Sequence, residues 1–436
     1  MEKALGPRKE APLHPSVQPS FVFRYDDPAA GRRDDEHMTT QTLSSAPPAA
    51  GTAGAGGRLP LLDVLRGAAI LGTLMTNVWI FAAPGSEWGV LTGATGSPSF
   101  DSFPQAVESV LRLLANGKFL ALLTVLFGVG LAIQYASAER RGQPWPGRYN
   151  RRALFLFFEG TVHFVLIFAW DVLMGYAVTA LLVARLLTRS VTAQNRVMWW
   201  LGGLHVTVML AATAFVLADS GTDGDGGGAV LDDGVRELYA HGSWGEQIVF
   251  RLENALALRM EPVLTFPLLV FLFLLGVRLF RAGAFGPDAT GRRIRARLLV
   301  WGLGLGLPIS VLSSVAGPEL FLLDRYIGGP LTALGYLGLI GAIVDRIRRP
   351  GPLMNGLTSV GRTALSGYVL QNVLCMLAAY GLGLGLTERL GGDWHPWWVI
   401  ALWTAVCATL MLGSSWWLRR FSHGPLEQVQ RWALRR

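Results

Sequence analysis

Charged residues and cysteines are scarce in this chain of 436 residues, and each scarcity excludes a class of protein. Only 16% of the residues are Asp, Glu, Lys or Arg, whereas soluble domains carry about 25%. The two cysteines, Cys375 and Cys407, both lie in apolar stretches, so the sequence has no disulfide framework and no zinc-ligand spacing. The acidic stretch 218–234 lacks the closing Glu of a calcium loop. The sequence therefore predicts neither a soluble domain nor a metal site, and it predicts no cofactor.

Apolar residues, by contrast, make up 51% of the chain, and the mean hydropathy is positive at +0.38. This composition is typical of a polytopic membrane protein. The formal net charge is +8, but the basic residues stand in short loops between apolar segments. Because membrane topology explains that placement, we predict the lipid bilayer as a partner and no nucleic-acid partner.

Ten apolar segments each come close to the roughly 20 residues that a helix needs to cross a bilayer core. They cover about 59–82, 118–137, 153–170, 171–188, 197–218, 262–280, 296–315, 327–345, 361–384 and 396–418. If consecutive segments alternate in direction, 30 of the 38 Lys and Arg residues fall on one side and 7 on the other, and Arg66 lies inside the first segment. The positive-inside rule then places both termini in the cytoplasm. The predicted fold is an all-α, polytopic membrane bundle of about ten helices.

Two segments outside these spans have a distinct character. Residues 1–57 are rich in Pro, Gly and Ala and lack apolar periodicity, which predicts a disordered cytoplasmic tail. The outer loop 219–261 begins acidic and then becomes amphipathic, with Ser243 and Glu246 spaced as a capping box. Ser102 and Gln105 show the same spacing ahead of the second span. We predict two interfacial helices that together cover an outward-facing cavity.

The first span carries polar side chains that lipid would penalise. On a helix, Arg66, Thr73 and Asn77 fall within about 20° of one another, and Asp63 lies on the neighbouring edge of that face. An ionisable group inside a membrane is costly unless it is paired or faces a protein interior or water. This face should therefore point into the bundle, either as part of a site or as a structural contact.

A second polar face lies in the third span, where Arg152, Glu159 and His163 are spaced seven and four residues apart. Two interpretations remain open: a buried contact that holds helices together, or a histidine base assisted by a neighbouring carboxylate. Asp171 begins the fourth span, and a tight hairpin with almost no loop would place it at the outer tip. His163, Glu159 and Asp171 are the predicted catalytic residues.

The ninth span is polar on more than one face, so it should lie in the interior of the bundle rather than against lipid. Arg362 and Ser366 share one side, and Tyr368, Gln371 and Asn372 form another. Hydrogen bonding between helices and ligand contact both explain these residues, and Arg362 could bind a phosphate or simply mark the cytoplasmic end. The predicted substrate contacts are Asp63, Arg66, Thr73, Asn77, Arg362, Ser366, Tyr368 and Gln371.

Short motifs spread over nearly the whole chain after residue 57 carry a family resemblance. They are Asp63-Val64-Leu65-Arg66-Gly67 with Asn77, Gly117-Lys118-Phe119, Leu126-Phe127-Gly128-Val129-Gly130, Arg151-Arg152 with Gly160 and His163, Asp171-Val172-Leu173 with Tyr176-Ala177, Gly361-Arg362-Thr363-Ala364-Leu365-Ser366 with Tyr368 and Gln371, and Gly424-Pro425-Leu426-Glu427 with Arg431. In these residues the chain resembles the YeiB-like family of bacterial membrane proteins, whose C-terminal half is a domain of unknown function, number 418. The resemblance implies a multi-pass protein of the bacterial inner membrane.

The opening motif also resembles, more distantly, the first helix of transmembrane acyltransferases of the acyltransferase-three type. In those proteins a His commonly stands eleven residues after the Arg, whereas Asn77 stands there in this chain and cannot act as a base. If this chain transfers acyl groups, His163 is therefore the predicted base. Two departures from the YeiB-like pattern are Trp170, where a Gly is usual before the Asp, and Gly367, where an Asn is common.

These observations lead to one predicted function and one alternative. The prediction is transfer of an acyl group from a cytoplasmic donor such as acyl-CoA to a small-molecule, glycan or lipid acceptor at the outer leaflet. Arg66 and His163 would then face one hydrated cavity, with Arg66 or Arg362 against the donor phosphates. The alternative is a transporter that couples a small solute to the same buried charges.

Overall fold

The computed structural model describes residues 59–92, 99–220 and 232–434, and within these ranges it contains helices and no strands. The predicted tail, residues 1–57, lies outside the described residues, and so does the segment 221–231 of the outer loop. The helices are α1 (Pro60–Ala82), α2 (Ser86–Thr92), α3 (Phe103–Ala115), α4 (Lys118–Arg140), α5 (Arg148–Leu166), α6 (Leu173–Leu186), α7 (Val191–Ser220), α8 (Asp233–Ala240), α9 (Trp244–Glu253), α10 (Ala255–Leu258), α11 (Met260–Leu264), α12 (Phe266–Arg281), α13 (Ala289–Ala316), α14 (Phe321–Leu323), α15 (Gly329–Arg346), α16 (Pro352–Arg362), α17 (Ala364–Ala379), α18 (Leu386–Arg389), α19 (His395–Arg420) and α20 (Pro425–Ala433).

Each of the ten predicted spans overlaps one of these helices, and the fold is an all-α polytopic bundle. The span 153–170 runs past the end of α5, and the span 361–384 covers the end of α16, all of α17 and the residues that follow it. Among the described residues, six helical segments are long and apolar enough to cross a membrane: Pro60–Ala82, Phe103–Arg140, Val191–Asp219, Ala289–Ala316, Pro318–Arg346 and His395–Arg420. The other four predicted spans correspond to α5, α6, α12 and α17, which have 19, 14, 16 and 16 residues. That all ten cross the bilayer, with both termini in the cytoplasm, stays a prediction.

Helix α1 lies in the interior of the bundle, as its polar face requires. In its most apolar stretch 83% of the residues are buried, against 17% in α7 and 22% in α13. It packs against α4, α16, α17 and α19. The contact with α16 depends on glycine, because a Cβ at Gly67 would overlap the backbone of Leu357 and one at Gly361 would overlap the backbone of Asp63. These close approaches place the polar residues of α1 beside those of α17.

The two capping signals in the sequence are confirmed as helix starts. The Ser243 hydroxyl accepts from the backbone N–H of Glu246 at the start of α9, and the Glu246 carboxylate accepts in return from the Ser243 N–H at 2.7 Å. Ser102 accepts from the backbone N–H of Gln105 at the start of α3. We call helices α8 to α11 the roof. That α3 and the roof lie at the outer membrane interface stays a prediction.

A buried ion pair joins Arg251 of the roof to Glu87 of α2, and Glu87 in turn bonds the connection between α5 and α6. We call Glu87, Arg251 and Tyr239 the outer clamp. Arg251 Nε and the Tyr239 hydroxyl both donate to Glu87 Oε2, at 2.9 and 2.6 Å, and the Ala169 N–H donates to Glu87 Oε1 at 2.9 Å. The other guanidinium nitrogens donate to two backbone carbonyls near the end of α5. Burial acts to lower the pKa of Arg251, but the charge of Glu87 and the neighbouring Tyr239 and Tyr380 together raise it above its ordinary value. Burial, followed by the charge of Glu87, raises the pKa of Tyr239 well above its ordinary value, so the phenol stays a neutral donor.

The connection between α5 and α6 differs from the predicted hairpin. Helix α5 ends at Leu166 and α6 begins at Leu173, so the connection runs over residues 167–172. Asp171 lies within it but is only 1% exposed, instead of standing at an outer tip. The reason is local: the carboxylate accepts hydrogen bonds from the first N–H groups of α6, and this capping turns it into the bundle.

Candidate functional site

A cavity of about 390 Å³, which we call the inner cavity, opens where the predicted cytoplasmic ends of α1, α5 and α16 meet. Arg66, Arg152 and Arg362 stand around its mouth, and Leu173 and Tyr368 form its far end. The wall between them is mainly apolar and comes from α1, α4, α5 and α17, and Glu427 and Gln430 of α20 also line the cavity. Its volume lies within the range of pockets that hold small-molecule ligands.

The mouth of the inner cavity offers donors that suit an anion. Three guanidinium groups line it, and Arg152 is steadied by a hydrogen bond to Gln134 Oε1 at 3.2 Å. Burial raises the pKa of Tyr149, at the same mouth, to about 12, so its hydroxyl stays a neutral donor. Guanidinium groups bind phosphate and carboxylate through paired hydrogen bonds. The mouth therefore fits a ligand that carries phosphate or carboxylate groups.

Ser366, a predicted substrate contact, has a different partner in the structure. Its hydroxyl donates to Glu427 Oε2 at 2.5 Å, and Glu427 Oε1 accepts from the Leu365 N–H at 2.8 Å. The same hydroxyl accepts from the Leu426 N–H at 3.0 Å. The starts of α17 and α20 thus cap each other. A carboxylate at the start of a helix also interacts favourably with the helix dipole. This mutual cap joins two of the sequence motifs, 361–366 and 424–427, into one contact.

Asp171 lies at the deep end of the inner cavity, behind Tyr368. Its carboxylate accepts from the N–H groups of Leu173 and Met174, at 2.9 and 3.3 Å, and from the Tyr368 hydroxyl at 3.4 Å. Because these N–H groups begin α6, they favour a negative charge on the carboxylate. Asp171 is therefore held in a fixed position next to the phenol that closes the cavity.

Two further residues complete the surroundings of Asp171. Arg259, from the roof, donates to the Asp171 backbone carbonyl at 2.7 Å, and its guanidinium lies 3.8 Å from the carboxylate. Burial lowers the pKa of Arg259, and the charge of Asp171 acts in the opposite direction. Gly160 on α5 makes room, since a Cβ there would lie 2.8 Å from Asp171 Oδ2. The carboxylate thus touches four elements: α5, α6, α17 and the roof.

His163 lies beside Asp171 but does not hydrogen-bond it. Its Nδ1 is 3.8 Å from Asp171 Oδ1, which is beyond hydrogen-bond distance, and has no such partner among the described residues. Its Nε2 is 3.1 Å from Asn372 Nδ2, and Asn372 Oδ1 accepts from Asn77 at 3.3 Å. Because Asn77 uses the oxygen of Asn372, the amide NH₂ faces the imidazole, so Nε2 accepts and Nδ1 carries the hydrogen. The imidazole lone pair is therefore already occupied.

Two smaller cavities, of about 30 and 40 Å³, lie on the other side of Tyr368. The first is polar and is lined by Thr73, Thr76, Asn77 and Tyr368, among others. The second reaches Asp171 and the roof. The two adjoin, because both are lined by Leu120, Trp170, Val172 and Glu261. We call them together the outer site.

A single layer of side chains, which we call the septum, separates the inner cavity from the outer site. Along α1 the lining changes from Ile70 on the inner side to Thr73 on the outer side, and along α4 from Leu123 to Leu120. Three residues of α-helix rise about 4.5 Å. Tyr368 lines both cavities, so its ring is part of this layer. Groups bound on the two sides would lie one side chain apart.

The expectation that Arg66 and His163 face one shared cavity is wrong. Arg66 lines the inner cavity, where its guanidinium is 3.6 Å from Asp63, whereas His163 is 1% exposed and lines neither the inner cavity nor the outer site. Tyr368 packs against the imidazole, with 5.2 Å between ring centres, and fills the space between. Helical periodicity gives the face on which each residue lies, but not the ring that a third helix inserts between two faces.

The other predicted residues lie near the septum in different settings. Glu159 is half-buried and close enough to Asp171 and Glu427 to interact with their charges, and its Oε2 is buried without a hydrogen-bond partner in the part of the chain that the structure describes. Gln371 is fully buried, and neither of its amide atoms has a partner within the described ranges. That these two residues act in catalysis or substrate binding stays a prediction.

We call Asp171, His163, Tyr368, Asn372 and Arg259 the Asp171 centre. Asn372 and Arg259 belong to it although they are not among the predicted site residues. Asn372 follows Tyr368 by four residues and so shares its helix face, a spacing that could have identified it. Arg259 stands in a loop whose fold no periodicity indicates, so the sequence gives no signal for its contact with Asp171. Among the described residues, no group of three or more His, Cys, Asp or Glu side chains is arranged to hold a metal ion.

Comparison with known proteins gives a family and two relatives of similar length. The family model described as "Protein of unknown function (DUF418)" matches residues 279–436. Uncharacterized protein YxaH of Bacillus subtilis (strain 168) is 28% identical over 392 residues, which is 86% of this chain and 93% of that protein. Uncharacterized protein YeiB of Escherichia coli (strain K12) is 28% identical over 396 residues, which is 85% of this chain and 94% of that protein. The similarity therefore extends well beyond the C-terminal segment that the family model matches.

Proposed function

The chain belongs to the YeiB-like family of membrane proteins that carry the DUF418 domain, and from this premise we propose that it transfers an acyl group across the septum, from a donor in the inner cavity to an acceptor in the outer site. The observation that carries the proposal is the thickness of the septum. Reacting atoms must approach to about 3–3.5 Å. Because the barrier is one side chain thick, a small movement of Tyr368 would allow that approach. The donor and the acceptor each stay on their own side of the membrane.

The proposed donor is a phosphate-bearing acyl compound such as acyl-CoA. Arg66, Arg152 and Arg362 would hold its phosphates at the cytoplasmic mouth. From Arg66 to Thr73, α1 rises about 10 Å. A slender arm would therefore run along the apolar wall and bring the acyl carbonyl to Tyr368.

We assign proton removal to Asp171 and treat His163 as its positioning residue. This assignment exchanges the roles predicted from the sequence, because Asn372 already occupies the imidazole lone pair. As the acceptor oxygen or nitrogen bonds to the acyl carbon, its proton passes to the Tyr368 oxygen while Tyr368 passes its own proton to Asp171. The carbon–sulfur bond of the thioester then breaks, and the leaving thiolate takes the proton back from Asp171 through Tyr368.

The test uses purified protein in nanodiscs with acetyl-CoA labelled in the acetyl group. We expect release of CoA and transfer of the label to a small alcohol or amine, and we expect Asp171→Asn to lower the rate by about 10²- to 10⁴-fold. Asp101→Asn changes an exposed aspartate far from the septum and should leave the rate unchanged. Absence of CoA release with every acceptor tried would refute the proposal.

The two cavities on opposite sides of the septum also favour a second candidate, a transporter of a small solute. Transport requires the whole solute to pass, so Tyr368, Asp171 and His163 would have to separate during each cycle. Counterflow of a solute in proteoliposomes that contain no acyl donor would support this candidate over acyl transfer.

A further inference from the structure

The outer site is small, and its size restricts what it can hold. Its two cavities offer about 30 and 40 Å³ to the centre of a water-sized sphere, and one water needs about 10–15 Å³ of such space. Each cavity therefore takes a group of roughly two or three heavy atoms. A sugar ring or a branched chain does not fit, whereas the end of a slim chain does.

The polar lining of the outer site calls for a hydrogen-bonding ligand. Thr73, Thr76 and Asn77 line it from α1, and Glu261 lines it from the roof. Thr73 is only 4% exposed, and its hydroxyl has no hydrogen-bond partner among the described residues. Buried hydroxyl groups in proteins nearly always have a partner, so an unpaired one that lines a cavity points to a polar group that binds there.

Trp170 makes the outer site narrow. Its side chain lines both cavities, and its indole N–H donates to the Glu87 backbone carbonyl at 2.9 Å. Glu87 is itself held by the outer clamp, with both carboxylate oxygens hydrogen-bonded. The indole therefore cannot turn away without breaking buried contacts, and the narrow shape of the site is fixed.

Tyr368 forms the floor of the outer site, so a group bound there lies one side chain from the inner cavity. We propose that the outer site binds the hydroxyl or primary amine end of a slim, unbranched acceptor, and that Trp170 sets this size limit. This inference deepens the proposed function and rests on it, since it names the acceptor class of the same reaction.

The experiment compares acceptors of matched chemistry and different width. Protein in nanodiscs receives labelled acetyl-CoA with 1-butanol or neopentyl alcohol, and in a second arm with butylamine or neopentylamine, while acetylated product and free CoA are measured. We expect the unbranched acceptor to be preferred by about 10-fold or more, in line with what a narrow pocket achieves against extra methyl groups. The alcohol and amine arms decide which nucleophile the site accepts.

Substitutions at two residues test whether the outer site causes the preference for the unbranched acceptor. Trp170→Gly should reduce the preference for the unbranched acceptor to near unity, and Trp170→Phe should reduce it partly if the glycine variant does not fold. Thr73→Val should raise the KM of the acceptor but not that of acetyl-CoA. The matched control is Thr179→Val, since the Thr179 hydroxyl is also buried without a partner in the described ranges but lines neither part of the outer site.

The outcomes separate this inference from the function on which it rests. Equal rates with branched and unbranched acceptors, or an unchanged preference in both Trp170 variants, would overturn the acceptor assignment while acyl transfer stands. No CoA release with any acceptor would overturn both.

Discussion

The outer clamp and the Asp171 centre both bury a carboxylate in the bundle, yet they differ in how completely its surroundings are paired. In the clamp, both oxygens of Glu87 and all three guanidinium nitrogens of Arg251 have hydrogen-bond partners. In the centre, Asp171 is well held, but His163 Nδ1 has no hydrogen-bond partner among the described residues. Tyr239 of the clamp borders a cavity of only about 10 Å³, whereas the Asp171 centre lies between the inner cavity and the outer site.

This difference separates a structural role from a functional one. A buried charge that is fully paired contributes to a single folded arrangement, and removing one partner leaves the other uncompensated. A buried polar atom left unpaired, as His163 Nδ1 is among the described residues, gains a partner only when something binds or moves. Burial alone therefore does not identify a site in this bundle, and the pairing of each atom is the better guide.

The largest expected effect is on stability and comes from breaking the clamp. Arg251→Met leaves Glu87 buried without its cation and should lower the free energy of unfolding by about 3–5 kcal/mol, measured by thermal or denaturant unfolding in detergent. Arg236→Met removes an arginine of the same loop whose side chain is 55% exposed, and it should cost about 1 kcal/mol or less. Equal losses in the two variants would contradict the structural role of the clamp.

The corresponding substitution at His163 should lower the rate of acyl transfer more than it lowers the stability. In His163→Gln the amide can keep the contact with Asn372 but cannot replace the imidazole beside Asp171. We expect the transfer rate to fall about 100-fold, with a change of about 1 kcal/mol or less in the free energy of unfolding. If His163→Gln destabilises the protein as strongly as Arg251→Met, His163 is a structural contact and the comparison fails.

The smallest expected effect concerns the cap between α17 and α20. Ser366→Ala removes a hydrogen bond to a charged carboxylate and should cost about 1.5 kcal/mol of stability, without changing the KM of the donor. Ser359→Ala is a suitable control, since that hydroxyl bonds the carbonyl of Asn355 in its own helix. A rise in donor KM at unchanged stability would instead favour the substrate contact predicted from the sequence.

Local patterns in the sequence predict the helices well, because they depend on neighbours along the chain. All ten predicted spans overlap helices, and Ser102 and Ser243 mark real helix starts. The polar faces of α1, α5 and α17 also point inward, as the cost of burying charge in lipid requires. Each of these predictions needs only helical spacing and the chemistry of single residues.

Partners far apart in the chain could not be predicted in this way. Arg251 pairs with Glu87 across 164 positions, and Ser366 pairs with Glu427 across 61. Spacing shows that Arg66 and His163 each face the interior, but the rotation of α17, which sets the ring of Tyr368 between them, depends on packing that involves several helices. The same packing places the Tyr368 hydroxyl on Asp171 and the Asn372 amide on His163.

The cap on α17 has a consequence for the order in which this protein matures during synthesis. The start of α17 leaves the ribosome 62 positions before the carboxylate of Glu427 that will satisfy its first N–H groups. Tyr368 and Asn372 lie on that helix, so they reach their final positions only after α19 and α20 have been made. A chain that ends before residue 427 would contain every long apolar helix and still lack the carboxylate that fixes the start of α17.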